Sequence, residues 1–526
     1  MATEVHSRKN NDRLKSYFSR RRFISSCSAC AACLAMAPVK LVSSPFAFSG
    51  SKKKIRIRII YSLHSEVQKQ PDWPNVGFDF RPVMENINKE LTRAFREVEF
   101  LPVLASGSED AEKIVHQDEN DTIDGYIVYQ MNCWNRVIQT IAATGKPVIY
   151  ADFQYGGSGG FLSYTAALLR ANTPHFGFVA SSDTNDLIRS VSCLIDVIRK
   201  GNTRDLGMLV QKTRMRLTPP QGKYSIINDD IKFLTVDECI TRMKNSRILA
   251  VRDQNRSIAE PVFGIPVEYI PFSEINEAWS SADKDEAEEI ARKWISNAQS
   301  VENVPIETIR SSAAMYLGMK SVLKAHNANA ITINCLGGFY GGHIHAYPCL
   351  GFHQLNNEGL VGGCECDIRS CATMVAFGIL SGGRPGFISD PVIDTSKRQI
   401  TYAHCVASNR VFGSNGPSNP YIIMTHSEDR QGASVRSILP VNYITTTLEI
   451  QNQRQEILIH RAIAKGNDSD DRACRTKLCA EPVGDIEKLF TMWDKWGWHR
   501  VTFYGDFREP VQALAEAMKW KVIEEA

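Results

Sequence analysis

Glu365, Asp390 and His404 combine two carboxylates and an imidazole, a set able to hold a divalent ion and to move protons. Oxygen-rich sites with one or two imidazoles suit ions of the manganese kind, and a carboxylate in such a site can also act as an acid or base. Each residue belongs to a different predicted element. Glu365 stands in Cys364-Glu-Cys-Asp367, ahead of an apolar run from Cys371 to Leu380. Met374, Phe377, Ile379 and Leu380 give that run a helix-like face, and Ser381-Gly382-Gly383 with Pro385 supplies a stop. Glu365 and Asp367 are therefore expected at a helix start, where the helix dipole favours the ionised form. Asp390 follows a strand predicted over 384–389 and precedes Pro391, which predicts a strand end. His404 falls in a strand predicted over 399–406, whose alternation puts it on one face with Ile400 and Tyr402. Taken singly, these residues also read as first-turn acids, a turn aspartate and a core histidine.

The segment Cys364 to Met374, with Gly386-Phe-Ile-Ser-Asp390 and Ala403-His404 after it, resembles the carboxy-terminal half of the L-fucose and L-arabinose isomerases. Thr425 to Ser434, Ala473 to Leu478 and Gly497 to Asp506 are similar to further segments of fucose-isomerase-like proteins, and the resemblance is strongest from Leu336 onward. It implies a metal-dependent aldose–ketose isomerase that works through an ene-diol on a small sugar. Glu365 and Asp390 would then serve as manganese ligands and as the catalytic proton carriers. The same resemblance implies histidine ligands at His404 and His499. Ser389 stands where the arabinose enzymes carry an acid, which leaves a fucose-type ligand set open. A closed homo-oligomer, trimer or hexamer, is also implied, because the resembling enzymes build their sites between subunits.

These residues need a scaffold. From Ile55 the chain alternates strand and helix patterns, which predicts a doubly wound parallel sheet over residues 50–200, and a second such region follows over 201–345. Residues 201–240, with Pro219-Pro220, read as a connection. After the catalytic stretch come short strands, 420–424, 434–439, 443–450 and 456–460, that predict a small antiparallel barrel within a carboxy-terminal domain of 346–526. The loop from Leu336 to His345 follows a predicted strand at 330–334 and should border the site, since ligands of open parallel sheets bind beyond the strands' carboxyl ends. His343 and His345 are thus candidate sugar contacts. Gly156-Gly-Ser-Gly-Gly-Phe161 opens a helix but does not fit a dinucleotide fingerprint. It reads either as a structural turn or as a sugar-facing loop, with Trp134 and this loop as candidate contributors to a neighbouring subunit's site.

At 526 residues, 43% of them hydrophobic, the chain can bury several cores. The formal net charge of +3 lies largely at the amino terminus, so nothing points to nucleic acid. Residues 1–49 read as a secretory leader with a twin-arginine motif, Ser19-Arg20-Arg21-Arg22-Phe23-Ile24, with a cut near Ser49 and a disordered basic tail as the alternative. A periplasmic protein, free of the membrane after export, is the expectation. Eleven cysteines follow the leader. Cys364, Cys366 and Cys371 invite a zinc reading but lack its usual two-residue spacing, and Cys474 and Cys479 are the nearest candidates for a disulfide. Two rival functions remain: an exported sugar-binding protein, and a degenerate isomerase homologue. The leader reading predicts that replacing Arg20 and Arg21 together by Lys retains the protein in the cytoplasm; unchanged periplasmic delivery in cell fractionation would end it.

Overall fold

The computed structural model describes residues 54–526, so the leader and the export reading fall outside the described residues. Five strands form the first sheet: β1 (Ile55–Ser62), β2 (Val98–Ala105), β3 (Gly125–Gln130), β4 (Val148–Asp152) and β5 (Phe176–Val179). All are parallel, in the order β2-β1-β3-β4-β5. β4 and β5 are buried along their whole length, as strands covered on both faces by helices must be. The helix Arg81–Ala94 shows the matching stripe, burying Met84, Ile87 and Leu91.

The stretch 201–240, expected as a connection, contains the helix Leu206–Leu217. Its basic residues hid a short apolar stripe of Leu206 and Val210 against β5. Arg214 is itself buried, its guanidinium 3.6 Å from the Phe178 ring and 2.6 Å from Glu487. An arginine paired and stacked in this way joins the first sheet to the carboxy-terminal part of the chain.

The second sheet contains β6 (Ile248–Arg252), β7 (Ser257–Val262) and β8 (Ile265–Pro271), then, beyond the short β9 (Ser300–Glu302), β10 (Ala330–Ile333) and β11 (Val361–Gly363). Its order is β11-β10-β6-β8-β7, parallel except for the β7–β8 hairpin. Then comes the barrel. β12 (Phe387–Asp394), β13 (Gln399–His404), β16 (Ile444–Gln451), β17 (Glu456–Asn467), β18 (Thr476–Val483) and β19 (Arg500–Tyr504) close into six antiparallel strands, with β20 (Lys521–Glu524) added beside β17. β14 (Tyr421–Met424) and β15 (Ser434–Ser437), expected in the barrel, instead pair with each other in a side sheet that β9 joins beside β14. The barrel takes β12 and β13 from the catalytic stretch itself, and β18 and β19 from the segments that follow.

Side chains from non-adjacent barrel strands meet, so they fill its interior. The Tyr402 hydroxyl lies 2.6 Å from His460 Nε2 and 2.9 Å from Thr447 Oγ1. His460 Nδ1 lies 2.8 Å from Glu525, and Arg500 donates to Glu525 at 2.8 Å. Arg500 also donates to the main-chain oxygens of Gly497 and His499, both at 2.9 Å, so the buried ion pair braces the loop that enters β19. Burial pushes the Glu525 carboxyl up, but Arg500 and His460 outweigh it and hold the group down at about 2. A carboxyl depressed in the folded state stabilises the fold above its unfolded value, about 4.3, and loses that contribution as pH falls towards 2. Glu525→Gln should therefore destabilise the protein by about 3 kcal/mol at pH 7. In denaturant titrations the gap to the unmodified protein should narrow between pH 4 and 2; a constant gap would contradict the pairing.

Candidate active site

Glu365 reaches the site through a forced backbone. β11 ends at Gly363, beside Thr332 of β10, and the Cys366 N–H donates to the Ile333 carbonyl at 2.9 Å. Glu365 and Cys366 both take left-handed conformations, with φ +61° and +52°, which cost non-glycine residues about 1–3 kcal/mol each. The helix Ile368–Leu380 starts only after them, with Asp367 as its cap: Asp367 Oδ1 accepts the Arg369 and Ser370 N–H groups, each at 3.1 Å. Glu365 thus lies in a strained turn before the helix rather than in its first turn.

Asp390 is in the interior of β12, not at a strand end, because the strand runs on through Pro391 to Asp394. β19 pairs with β12 only as far as Ser389, so one edge beyond it is unpaired and can accept a residue without a backbone N–H. His404 closes β13, and His499 immediately precedes β19. The carboxyl end of the second sheet and one rim of the barrel therefore converge.

The ligand atoms of Glu365, Asp390, His404 and His499 lie within 4.8 Å of one another. His404 Nε2 is 3.6 Å from Glu365 and 3.9 Å from Asp390; His499 Nε2 is 3.4 Å from Glu365 and 3.2 Å from Asp390. Both Nε2 atoms are buried with no hydrogen-bond partner among the described residues. Orphaned buried nitrogens aimed at two carboxylates fit a cation site, since leaving such groups unpaired is otherwise unfavourable by about 1–3 kcal/mol each. The two histidines differ at their other nitrogen. His499 Nδ1 lies 3.0 Å from Asp367 Oδ2, so Nδ1 carries a proton and, in the neutral ring, Nε2 keeps its lone pair, the arrangement that orients a histidine ligand. His404 Nδ1 accepts the Cys405 N–H at 2.9 Å, which places a neutral ring's proton on Nε2, facing the carboxylates. Burial pushes the His499 imidazole down, but Glu365, Asp367 and Asp390 raise it well above its ordinary value. Burial likewise pushes Glu365 up, and the His499 and His404 imidazoles hold it below the usual carboxylate range.

A cleft of ≈ 360 Å³ opens over this cluster, lined by Glu365 and Asp390 together with Asp72, Trp73, Trp134, Tyr340, Glu428 and Trp498. Trp134, expected across a subunit boundary, lines the cleft of its own chain, with its ring 5.9 Å from that of Trp498. The glycine loop is a structural turn beneath it. A Cβ at Gly157 would come within 2.0 Å of the Gln130 carbonyl, and one at Gly159 within 3.3 Å of both tryptophan rings. His343 and His345 are not brought to the cleft. The glycine-rich segment winds into a short helix, Cys335–Tyr340, so Tyr340 faces the cleft while the Asn276 side chain donates to the His343 carbonyl and His343 stacks on Phe272.

Asp367, Glu428, Trp73 and Trp498 carry no role in the sequence reading. An acid two residues from Glu365 and an acid within Thr425–Ser434 were the available signals. Among the described residues no cysteine joins a group of possible metal ligands, and Cys474 and Cys479 are both free thiols.

Residues 239–383 match the family model for the L-arabinose isomerase central domain, a span that contains Glu365 and stops short of Asp390. The chain is 27% identical over 123 residues to a sulfoquinovose isomerase of Priestia megaterium, covering 22% of this chain and 27% of that protein. It is 26% identical over 153 residues to one of Alkalicoccus urumqiensis, covering 28% and 33%. An L-arabinose isomerase of Clostridium beijerinckii is 26% identical over 163 residues, covering 30% and 33%. The chain therefore spans no more than about a third of the length of these relatives, and its likeness to sugar isomerases is partial. A solved structure titled XylFII molecule matches at 13% identity over 58% of this chain and 92% of its own, with a TM-score of 0.15, too low to argue from.

Asp367→Asn should weaken binding of a divalent ion ten- to hundredfold, the usual loss when a carboxylate behind a ligating histidine is changed. Thermal stability should move little, because Asn also caps helices well. Equal metal affinity by calorimetry would refute this role.

Proposed function

We propose that the protein is a metal-dependent aldose–ketose isomerase. The observation that carries this reading is the convergence of Glu365, Asp390, His404 and His499 from four separate segments, with two buried imidazole nitrogens left unpartnered. The partial likeness to sulfoquinovose and L-arabinose isomerases supports it. Glu365, Asp390 and His499 would hold a divalent ion, manganese by the chemistry of the set, with His404 beside them as a hydrogen-bond donor. Such an ion, when bound, supplies Lewis-acid polarisation of neighbouring sugar oxygens.

The chain's own groups do the rest. Isomerisation removes a proton from the carbon beside the carbonyl and returns one to the neighbouring carbon. Glu365 and Asp390 are the cleft carboxylates that belong to the imidazole cluster, one to take the carbon-bound proton and the other to exchange the hydroxyl proton. His404 and His499 lie against both carboxylates and hold them in place. Trp134 and Trp498 shield one side of the cleft from water and offer rings to the apolar face of a sugar. Export through the twin-arginine route, which carries folded proteins, suits an enzyme that loads its ion in the cytoplasm, and a closed trimer or hexamer is part of the same reading. A plain sugar-binding protein has no need of the buried acid–imidazole cluster.

Glu365→Gln and Asp390→Asn should each lower turnover at least about a hundredfold while the fold survives; wild-type rates in both would refute the assignment. Metal analysis should separate the histidines, with His499→Gln losing most of the bound ion and His404→Gln retaining most of it. The reverse pattern would contradict the ligand set.

A further inference from the structure

Glu428 is, with Asp72, one of two carboxyls in the cleft that this chemistry leaves unused. It follows β14, is 9% exposed, and lines the same space as Glu365 and Asp390. Its Oε2 accepts the Tyr340 hydroxyl at 2.8 Å, and its main-chain oxygen accepts the Val76 N–H at 2.7 Å. Among the described residues no hydrogen bond reaches Oε1. Tyr340 and the indoles of Trp73, Trp134 and Trp498 line the cleft with it, and the described lining includes no lysine or arginine. The cleft therefore carries a carboxyl pair in the imidazole cluster and, outside it, Asp72 and Glu428; of these two, Glu428 is the one braced by the Tyr340 phenol. Aromatic surface beside a fixed, half-satisfied carboxyl is recognition chemistry for a polyhydroxylated chain or ring, whose C–H faces pack on rings while hydroxyls meet the polar group. Burial pushes the Glu428 carboxyl up.

We infer that Glu428 is a substrate-contacting specificity residue: held by Tyr340, its free oxygen hydrogen-bonds a sugar hydroxyl away from the reacting carbons and selects the configuration there. This rests on the sugar-site reading of the cleft, yet it can be tested without turnover. Alditols of the common pentoses and hexoses cannot isomerise but present the same hydroxyls. Calorimetric titration of manganese-loaded protein with each should identify at least one that binds. In Glu428→Ala its affinity should fall ten- to hundredfold, the worth of a hydrogen bond to a charged or acidic group, and the preference among epimeric alditols should flatten. Bound manganese should stay unchanged. Glu428→Gln, which keeps shape and one hydrogen bond, should recover part of the affinity and serves as the readout if the alanine variant does not fold. Tyr340→Phe should weaken binding severalfold.

Unchanged affinity and epimer preference in Glu428→Ala, loss of manganese in both Glu428 variants, or an unmodified protein that binds none of the alditols would each overturn the inference. Alditol binding that depends on Glu428, in a protein that turns over no aldose, would instead remove the isomerase reading and leave this one standing.

Discussion

Two carboxylates that face one point inside a protein repel each other, by about 3–4 kcal/mol at 4–5 Å and an effective dielectric near 20. Glu365 and Asp390 are in that position, and the surrounding structure can be understood as the means of keeping them there. Two imidazoles offer the compensating positive or polar edge, and His499 lies within 3.4 Å of both carboxylates. Asp367 holds the far nitrogen of His499. Arg500 holds the carbonyls of the loop that carries it, and Glu525 neutralises Arg500 in turn. Each buried charge is answered by the next, a chain that ends in the barrel interior. A divalent ion placed between the carboxylates would satisfy the same repulsion more fully than a shared proton.

The scaffold follows from this need. An open parallel sheet presents loops at its carboxyl end, and Glu365 uses that end of β10 and β11 at the expense of two left-handed residues. Strain of this kind persists only where surrounding contacts over-determine it; here the Cys366 bond to Ile333 and the Asp367 cap do so. The barrel supplies the facing wall. Its strands β12 and β13 set Asp390 opposite Ala403 in register, so Asp390 and His404 emerge at one rim, and closure of the barrel fixes that rim against the sheet.

Much of this was legible in the sequence, for reasons that can be stated. The α/β alternation and the later run of short strands carry their periodicities openly, and Glu365, Asp390, His404 and His499 stand out as chemical types within recognisable segments. What stayed hidden depends on long-range contact. Asp367 reads as an ordinary cap because its second partner, His499, is 132 residues away. Pro391 looked like a strand stop because nothing local reveals that one edge of β12 is unpaired there. His343 and His345 looked like site residues because a glycine-rich loop does not advertise the helical turn after which their rings pack against Phe272 and Trp279. The helix Leu206–Leu217 was masked by its arginines, one of which is buried against Phe178.

The central claim is that this cluster, once it holds a divalent ion, converts an aldose to a ketose. The most direct measurement is proton NMR of a panel of pentoses, 6-deoxyhexoses and hexoses, including sulfonated ones, incubated in parallel with manganese-loaded and chelator-stripped protein. The account predicts that at least one aldose is converted to its ketose by the loaded protein and by none of the stripped samples. Manganese-loaded protein that leaves every sugar unchanged, or stripped protein that converts one equally fast, would contradict it.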